Sequence, residues 1–167
     1  MNENDITDKR GIKEFKGITF SKYKKADAKK ELLNNLNTGK IEPACYWAGE
    51  YICAAHYADL WEIIFLFCSK HIHLGNPKLP IYLDLRLDHF KSILNGGYQE
   101  NILKMRNNEK IRKLFGEIIS VLCLSKKKHT FDNIKVQKDD FNITKITYKM
   151  KADSTIYASR IFKKEDP

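Results

Sequence analysis

Residues 60–68 read LWEIIFLFC, and they form the longest apolar stretch of the chain. Glu62 is its single charged residue, and the stretch is far shorter than the roughly 20 apolar residues with which a helix crosses a bilayer. A helix that is apolar on most of its sides is buried among other helices. We therefore expect a helix from Leu60 to about Ile72 at the centre of a helical domain.

Four further helices are predicted around this one, because apolar residues recur at steps of three and four. Turn signals separate the helices: Gly39 and Gly75 follow two of them, and Pro43 and Pro80 suit the first turn of the next. Short connections favour antiparallel neighbours. We predict an all-α fold of about five antiparallel helices, over residues 24–36, 43–55, 60–72, 79–94 and 109–124.

Both ends of the chain are predicted to lie outside this helical core. Residues 1–20 are polar with no sustained period, which is typical of a mobile arm. Residues 130–152 alternate β-branched or aromatic residues with Lys and Asp, so we expect an extended tail, with or without a short hairpin. A short last helix is predicted over residues 154–163. The expected organisation is an arm at 1–20, a helical core at 21–129 and a basic tail at 130–167.

The charge of the chain is concentrated at its ends. The 167 residues carry 30 Lys and Arg against 21 Asp and Glu, a net charge of +9. Residues 1–40 hold +4, residues 41–100 hold −3 and residues 101–167 hold +8. With 43% apolar and 31% charged residues, the composition excludes a collagen-like or wholly disordered chain. A basic balance of this kind favours nucleic acid, an anionic surface or an acidic protein as partner.

The four cysteines lie in apolar runs without the spacing of a disulfide framework. Buried free thiols are the simplest interpretation, so we expect an intracellular, reducing compartment: the cytoplasm, or a viral replication site if the chain is viral. The first ten residues lack the apolar region of a signal peptide. We expect no membrane partner. The four cysteines are Cys45, Cys53, Cys68 and Cys123.

Few residue patterns point to catalysis or to a bound metal. There is neither a GxxxxGK[ST] phosphate loop nor a GxGxxG motif. Cys53 could act as a nucleophile with His56 as its base, but a buried thiol is usually inert. Glu50 and Glu62 could form an acid–base pair, although solvated carboxylates are the simpler expectation. The one candidate metal set, in a C-x2-H, C-x2-H spacing, is Cys53, His56, Cys68 and His71, with core cysteines as the alternative. We expect no enzyme and no cofactor.

Basic clusters make nucleic-acid contact a candidate activity, mainly non-specific and salt-sensitive. Tyr23, Tyr98 and Tyr148 lie near basic residues and could stack on bases. A solvated basic surface is the alternative, and the Lys cluster after the last core helix could instead complement the carbonyl end of that helix. The candidate contact residues are Arg106, Lys110, Arg112, Lys113, Lys126, Lys127 and Lys128.

Three passages resemble the domain that follows the ATPase module in the RarA/MgsA family of AAA+ proteins, relatives of clamp-loader subunits. They are residues 37–47 (NTGKIEPACYW), 63–78 (IIFLFCSKHIHLGNPK) and 114–128 (LFGEIISVLCLSKKK). The resemblance covers roughly residues 25–130. It implies a clamp-loader collar-like helical domain that forms oligomers, commonly tetramers, in proteins acting at stalled replication forks.

This chain departs from the family in three ways. The ATPase module is absent, residues 125–128 (SKKK) stand where the family has Pro-Lys-Ser-Asn, and residues 54–57 (AAHY) replace a glycine-containing hairpin. The whole chain also looks like an uncharacterised protein of large cytoplasmic DNA viruses, through residues 44–47, 71–78 and 106–115. That second resemblance implies no activity.

The leading hypothesis is a non-enzymatic oligomerisation or scaffold module of DNA replication or repair machinery. Its expected partners are further copies of itself, replication or repair proteins, and DNA. The first alternative is a basic nucleic-acid-binding or packaging protein, and the second is a small zinc- or thiol-dependent enzyme. Large apolar side chains are the candidate subunit interface, with core filling as the alternative: Trp47, Trp61, Ile64, Phe65 and Phe67.

Overall fold

A computed structural model describes residues 5–128, 139, 142–154, 156–161 and 163 of the chain. Within these residues the secondary structure is helical apart from one isolated bridge between Ile18 and Lys24. The all-α prediction is therefore confirmed. Residues 1–130 form one compact unit and residues 131–167 a second.

The first unit contains the five predicted helices. They are α1 (Lys25–Thr38), α2 (Ile41–Cys53), α3 (Tyr57–Phe67), α4 (Leu79–Asn95) and α5 (Glu109–Leu124). A π-helical turn, Cys68–Ile72, extends α3, and short 3₁₀ helices span Ile12–Phe15, His73–Gly75 and Ile102–Asn107. The periodic apolar residues thus predict the first and last residues of each helix to within a few positions.

The centre of the unit is formed by α3 and by the apolar face of α5. Four aromatic rings meet there, with the centroids of contacting rings 5.4–6.1 Å apart. They belong to Tyr57, Trp61, Phe90 and Phe115, and each of these residues is at most 6% exposed. Such pairs add about 0.5–1.5 kcal/mol each beyond the area they bury. Most of the apolar stretch at 60–68 therefore lies in the core, as predicted, but Phe65 and Leu66 are partly exposed.

Two contacts place the C-terminal ends of α1, α3 and α5 at one end of the unit. Gly39, which ends α1 with φ +71°, lies beside the carbonyl of Cys123 near the end of α5. The Lys128 amide donates a 2.7 Å hydrogen bond to the carbonyl of His71, in the turn that extends α3. Since α2 and α4 start at this end, successive helices α1 to α4 alternate in direction.

The N-terminal segment, residues 5–20, corrects the prediction of an arm outside the core. Its Phe15 is fully buried. The side chain of Asn107 pairs with both backbone groups of Ile6, at 2.8 and 3.1 Å, and Arg106 donates to the carbonyl of Asp8 at 2.6 Å. The composition of residues 5–20 could not predict that the segment packs on the core, because its contacts are made with residues about 100 positions away.

The turn between α2 and α3 holds a non-glycine residue in the left-handed region. Ala55 has φ +60°, and the amide of the next residue, His56, donates to the carbonyl of Tyr51 at 2.8 Å, which closes the end of α2. An L-residue other than Gly, Asn or Asp is strained by about 1–2 kcal/mol in this region. This is the segment where the RarA-like pattern would have a glycine hairpin.

Replacing Ala55→Gly is expected to raise the free energy of unfolding by about 1 kcal/mol, because glycine adopts positive φ without strain. Urea denaturation measures the change. The neighbouring Ala54→Gly is the control: Ala54 is fully buried with φ −89°, so glycine there should destabilise the protein. A lower free energy of unfolding for Ala55→Gly than for the wild type would show that Ala55 is not strained in this turn.

The second unit contains two short helices, α6 (Ile143–Met150) and α7 (Ile156–Ile161). The Asn142 side chain accepts a 3.1 Å hydrogen bond from the amide of Thr144 and begins α6. The predicted extended tail is therefore wrong over residues 143–150, and residues 131–138, 140 and 141 lie outside the described ones. The prediction of a last helix within 154–163 is confirmed by α7.

Candidate functional site

An apolar groove of about 780 Å³ lies between the end of α3 and the start of α4. Its walls come from three successive segments: the last turns of α3, the turn that follows, and the first turns of α4. The main apolar residues that line it are Phe65, Leu66, Leu74, Pro77, Pro80 and Leu83. Phe65 and Leu66 are partly exposed, at 40% and 37%, and Leu74 is 62% exposed.

The groove exists because α3 carries more apolar side chains than the core of one chain can hold. Ile63, Ile64 and Phe67 face the core and are at most 1% exposed, which leaves Phe65 and Leu66 on the other side of the helix. The 3₁₀ turn His73–Gly75 then carries Leu74 outward, with His73 at φ +42°.

Outside the lining of the groove, α4 presents a second exposed apolar strip, which we call the ridge and which is formed by Ile81 and Leu85. These side chains are 68% and 59% exposed, whereas Leu79 and Leu83 on the opposite side of the helix are buried. Residues four apart lie one above the other on a helix, so Ile81 and Leu85 form a continuous strip. We call the groove and this ridge together the α3–α4 face.

Charged residues of both signs surround the α3–α4 face. Lys70 and Lys78 are exposed on the turn between the helices, and Asp84 is exposed on α4. Glu62 lines the groove and accepts a 3.3 Å hydrogen bond from Lys29. Exposed apolar residues and charged residues of both signs therefore occur together on the α3–α4 face, a combination that protein–protein interfaces also show.

The candidate interface residues divide between the core and the surface. Trp61, Ile64 and Phe67 are 6%, 0% and 1% exposed, so they fill the core of a single chain, which corrects the interface hypothesis at these positions. Trp47 is half-buried, with its ring 5.1 Å from that of Tyr23 and 5.2 Å from that of Tyr46. Phe65 lies in the groove and remains an interface candidate.

Two candidate nucleic-acid contacts have structural roles instead. Arg106 is 5% exposed and donates to the carbonyls of Asp8 and Cys53. Arg112 donates from Nε to the Arg106 carbonyl at 2.8 Å and from Nη2 to Asn107 at 3.1 Å. Both guanidinium groups satisfy backbone and amide oxygens around the N-terminal segment, so we no longer regard them as phosphate contacts.

The other basic candidates lie at opposite ends of α5. Lys110 and Lys113 are exposed in its first turns, where Lys113 pairs with Glu109 at 2.7 Å and lowers the pKa of that carboxyl. Lys126 and Lys128 are exposed beyond its last turn. Sixteen helical residues separate the two groups by about 24 Å. The structure therefore does not bring the seven residues into one patch.

Lys127 caps the end of α5. Its Nζ donates to the carbonyl of Leu122 at 3.0 Å and also to that of Cys123, and burial lowers its pKa. A lysine at the carbonyl end of a helix is stabilised by the helix dipole. For this residue the helix-capping alternative is the one that the geometry supports.

The candidate zinc ligands do not converge. Cys53 ends α2 and His56 immediately precedes α3, whereas Cys68 and His71 follow the end of α3; the eleven residues of α3 span about 16 Å. Among the described residues no group of three or more His, Cys, Asp or Glu side chains could hold a metal ion. Two Cys and two His are suitable zinc ligands, but the helix between the two pairs holds them apart.

The candidate catalytic residues also lack the geometry that they would need. His56 Nε2 lies 2.8 Å from the backbone carbonyl oxygen of Ile18 and donates a hydrogen bond to it, so this nitrogen does not act as a base toward Cys53. Burial raises the pKa of the Cys53 thiol, which is the opposite of what activates a nucleophile. The buried Glu50 carboxylate accepts hydrogen bonds from the Thr19 hydroxyl and the Ser21 amide. Glu62 instead pairs with Lys29, so the two carboxylates do not form an acid–base pair.

The candidate stacking tyrosines are dispersed. Tyr23 is engaged with Trp47, and the Tyr98 hydroxyl accepts a 3.1 Å hydrogen bond from Asn108. Tyr148 is 81% exposed on α6, in the second unit. Within the first unit, the structure therefore provides no shared stacking surface for Tyr23 and Tyr98 among the described residues.

The ridge on α4 was missed at the sequence level, although the sequence carries a signal for it. Apolar residues alternate at positions 79, 81, 83, 85 and 87, a period that one face of a helix cannot bury. Pro80 and the pair Gly96-Gly97 mark this segment as a helix. In a helix these five apolar side chains cannot share one face, so some of them, here Ile81 and Leu85, must point away from the core.

No helix among the described residues is long and apolar enough to cross a membrane. No protein-family model matches the chain, and neither a curated protein nor a solved structure is significantly similar to it. The resemblance to the RarA/MgsA family remains a hypothesis, and the geometry of the α3–α4 face carries the functional argument.

Proposed function

We propose that this chain is a non-enzymatic assembly module that binds a second copy of itself through the α3–α4 face. The observation that carries the proposal is that α3, α4 and the turn between them expose an apolar groove and, outside its lining, the apolar ridge of Ile81 and Leu85. Exposed apolar patches of this kind mark interaction sites, because leaving them in water is unfavourable.

A second copy fits this surface for a geometric reason. A two-fold interface uses the same patch on both chains, so the patch must be complementary to itself. A two-fold axis near the start of α4 would bring the exposed apolar residues of the groove and ridge of one copy against those of the other. Phe65 and Leu74 would then be covered on both sides of the axis.

The charges around the face are compatible with a copy of itself. Lys70, Lys78 and Asp84 give its edge both signs, so two identical edges need not repel each other strongly. The net charge of +9, by contrast, repels two whole chains at long range. Added salt screens that repulsion, so self-association should strengthen as salt is raised.

The setting in DNA replication or repair rests on the RarA-like passages alone, at residues 37–47, 63–78 and 114–128. With no ATPase module, the chain would contribute assembly rather than motor activity. Replication or repair proteins are then its proposed partners beyond a second copy.

Light scattering coupled to size exclusion tests the proposal. We expect the wild-type chain to run at twice its monomer mass or more at micromolar concentration. Leu74→Asp and Leu85→Asp each place a carboxylate in the apolar contact and should weaken association at least about 30-fold, equivalent to about 2 kcal/mol.

Ile12→Asp is the matched control, since Ile12 is 49% exposed in the N-terminal segment, outside the face. It should associate like the wild type. A wild-type chain that stays monomeric at 100-fold higher concentration in both low and high salt would refute self-assembly.

A further inference from the structure

Three aromatic side chains form a cluster on the surface where the loop before α1 meets α2. The ring of Trp47 lies 5.1 Å from that of Tyr23 and 5.2 Å from that of Tyr46, both in edge-to-face geometry. Tyr23 is 45% exposed and Tyr46 is 51% exposed, so about half of each tyrosine is in contact with water. A hydrogen bond with the Tyr23 hydroxyl raises the pKa of Tyr46, which shows that the two phenol groups are neighbours. We call these three residues the aromatic cluster.

The loop that carries Tyr23 is fixed by hydrogen bonds. The Thr19 amide donates to the Tyr23 carbonyl at 2.8 Å, and the Lys22 amide donates to the Thr19 carbonyl at 3.0 Å. The carboxylate of Glu50 in α2 accepts from the hydroxyls of Thr19 and Ser21, both at 2.7 Å. The loop therefore presents Tyr23 in one position before any ligand binds, which lowers the entropic cost of binding.

Positive charge accompanies the aromatic cluster. Residues 16–25 contain four lysines and neither Asp nor Glu. Lys22 and Lys24 flank Tyr23, and both are exposed. Neither of these two lysines forms an ion pair within the part of the chain that the structure describes. The exposed carboxylate of α2 is Glu42, so positive charge exceeds negative charge around the cluster.

Exposed aromatic rings next to unpaired lysines select one class of ligand. Rings alone would suit a sugar or a proline-rich peptide, and neither of these needs the lysines. Lysines alone would suit any anion, which does not need the rings. Single-stranded nucleic acid uses both, since its bases stack on aromatic side chains while its phosphates pair with basic ones. A duplex offers mainly its phosphates, because its bases already stack on each other.

We infer that the aromatic cluster, together with Lys22 and Lys24, binds single-stranded nucleic acid. One base stacks on Tyr46 and another on Tyr23, and the phosphates near them pair with the two lysines. Binding tolerates any base sequence, because every base has a flat face. The site goes beyond self-assembly, because its residues lie outside the α3–α4 face. It also differs from the seven basic residues that the sequence suggested, none of which belongs to it.

Fluorescence anisotropy of a labelled oligothymidylate of about 15 nucleotides, titrated with the full chain, tests the stacking. We expect Tyr46→Ala to weaken binding at least about fivefold, and Tyr46→Phe, which keeps the ring, to bind within about twofold of the wild type. Binding to the duplex of the same oligonucleotide with oligodeoxyadenylate should be unchanged in Tyr46→Ala. Tyr148→Ala is the matched control, since Tyr148 is 81% exposed in the second unit, and it should bind like the wild type.

A salt series tests the lysines. The logarithm of the association constant for a single strand falls with the logarithm of salt concentration by about 0.7 for each phosphate contact. Lys22→Ala and Lys24→Ala should each reduce the slope by about this amount. Lys110→Ala is the matched control, since this exposed lysine lies on α5, and it should leave the slope unchanged.

The inference is overturned if Tyr46→Ala binds oligothymidylate like the wild type, or if Lys110→Ala weakens binding more than Lys22→Ala does. Absence of binding at about 0.1 mM protein and about 50 mM salt would also overturn it. A polyglutamate peptide that competes as well as unlabelled oligothymidylate would show recognition of charge alone, with the same consequence. Leu85→Asp should keep the effect of Tyr46→Ala, so loss of self-assembly and loss of nucleic-acid binding are measured separately.

Discussion

Replacing Glu50→Ala is expected to lower the free energy of unfolding by about 3 kcal/mol or more. The Glu50 carboxylate is 5% exposed and accepts three hydrogen bonds from the loop before α1: from the Thr19 hydroxyl at 2.7 Å, the Ser21 amide at 2.8 Å and the Ser21 hydroxyl at 2.7 Å. Alanine removes the acceptor and leaves the fully buried Thr19 hydroxyl without this partner. A buried donor left unsatisfied costs about 1–3 kcal/mol.

Urea denaturation of Glu50→Ala and Glu62→Ala separates this structural role from a general effect of losing a carboxylate. Glu62 pairs with Lys29 on the surface, where both side chains are more than a third exposed, so its removal should change stability by less than about 1 kcal/mol. Equal effects of the two substitutions would show that Glu50 does not hold the loop.

Gly75→Ala is expected to destabilise the protein by about 3 kcal/mol, at the upper end of the cost of overpacking. A Cβ at this position would lie 2.1 Å from the backbone carbonyl oxygen of Lys126, far inside van der Waals contact. No flexible side chain can move aside, so the turn must separate from residues 125–128. That movement stretches the hydrogen bond from the Lys128 amide to His71 and the one from Asn76 to Ser125.

Gly116→Ala is the matched control for this substitution. It adds the same methyl group in the interior of α5, where a Cβ meets no described atom within 4 Å, and should stabilise the protein by up to about 1 kcal/mol. In thermal unfolding we expect Gly75→Ala to lower the melting temperature and Gly116→Ala to raise it. A Gly75→Ala variant as stable as the wild type would mean that residues 125–128 are not held against the turn.

The five core helices could be predicted because each carries its own local signal. In α5, Ile111, Leu114, Ile118 and Leu122 repeat at steps of three and four, and all four are at most 3% exposed. The prediction of these helices needed no tertiary information, since periodicity and turn residues are local properties of the sequence.

The N-terminal segment and α6 could not be predicted for different physical reasons. Phe15 is buried in a segment whose residues Ile6 and Asp8 are bonded to Asn107 and Arg106, about 100 positions along the chain. In α6, Ile143, Thr144 and Ile146 favour strands by intrinsic propensity, but the Asn142 cap and the spacing of Ile143, Ile146 and Met150 suit a helix.

The candidate site was predicted only in part. Phe65 was singled out for its size, and it does lie in the groove, but Trp61 and Ile64 are equally apolar and fill the core. Which side of α3 faces outward depends on how α1 and α2 pack against it. Phe65 and Leu66 on the outer side are as apolar as Ile64 and Phe67 on the inner side, so the sequence of this helix shows no polar side.

Amide hydrogen exchange measured at low and high protein concentration tests self-assembly through the α3–α4 face most directly. As the oligomer fraction rises, we expect slower exchange in residues 62–85 and unchanged exchange in the first turns of α5 near Lys110. Leu85→Asp should abolish the concentration dependence. Exchange in residues 62–85 that is the same at every concentration, or protection confined to another surface, would contradict the account.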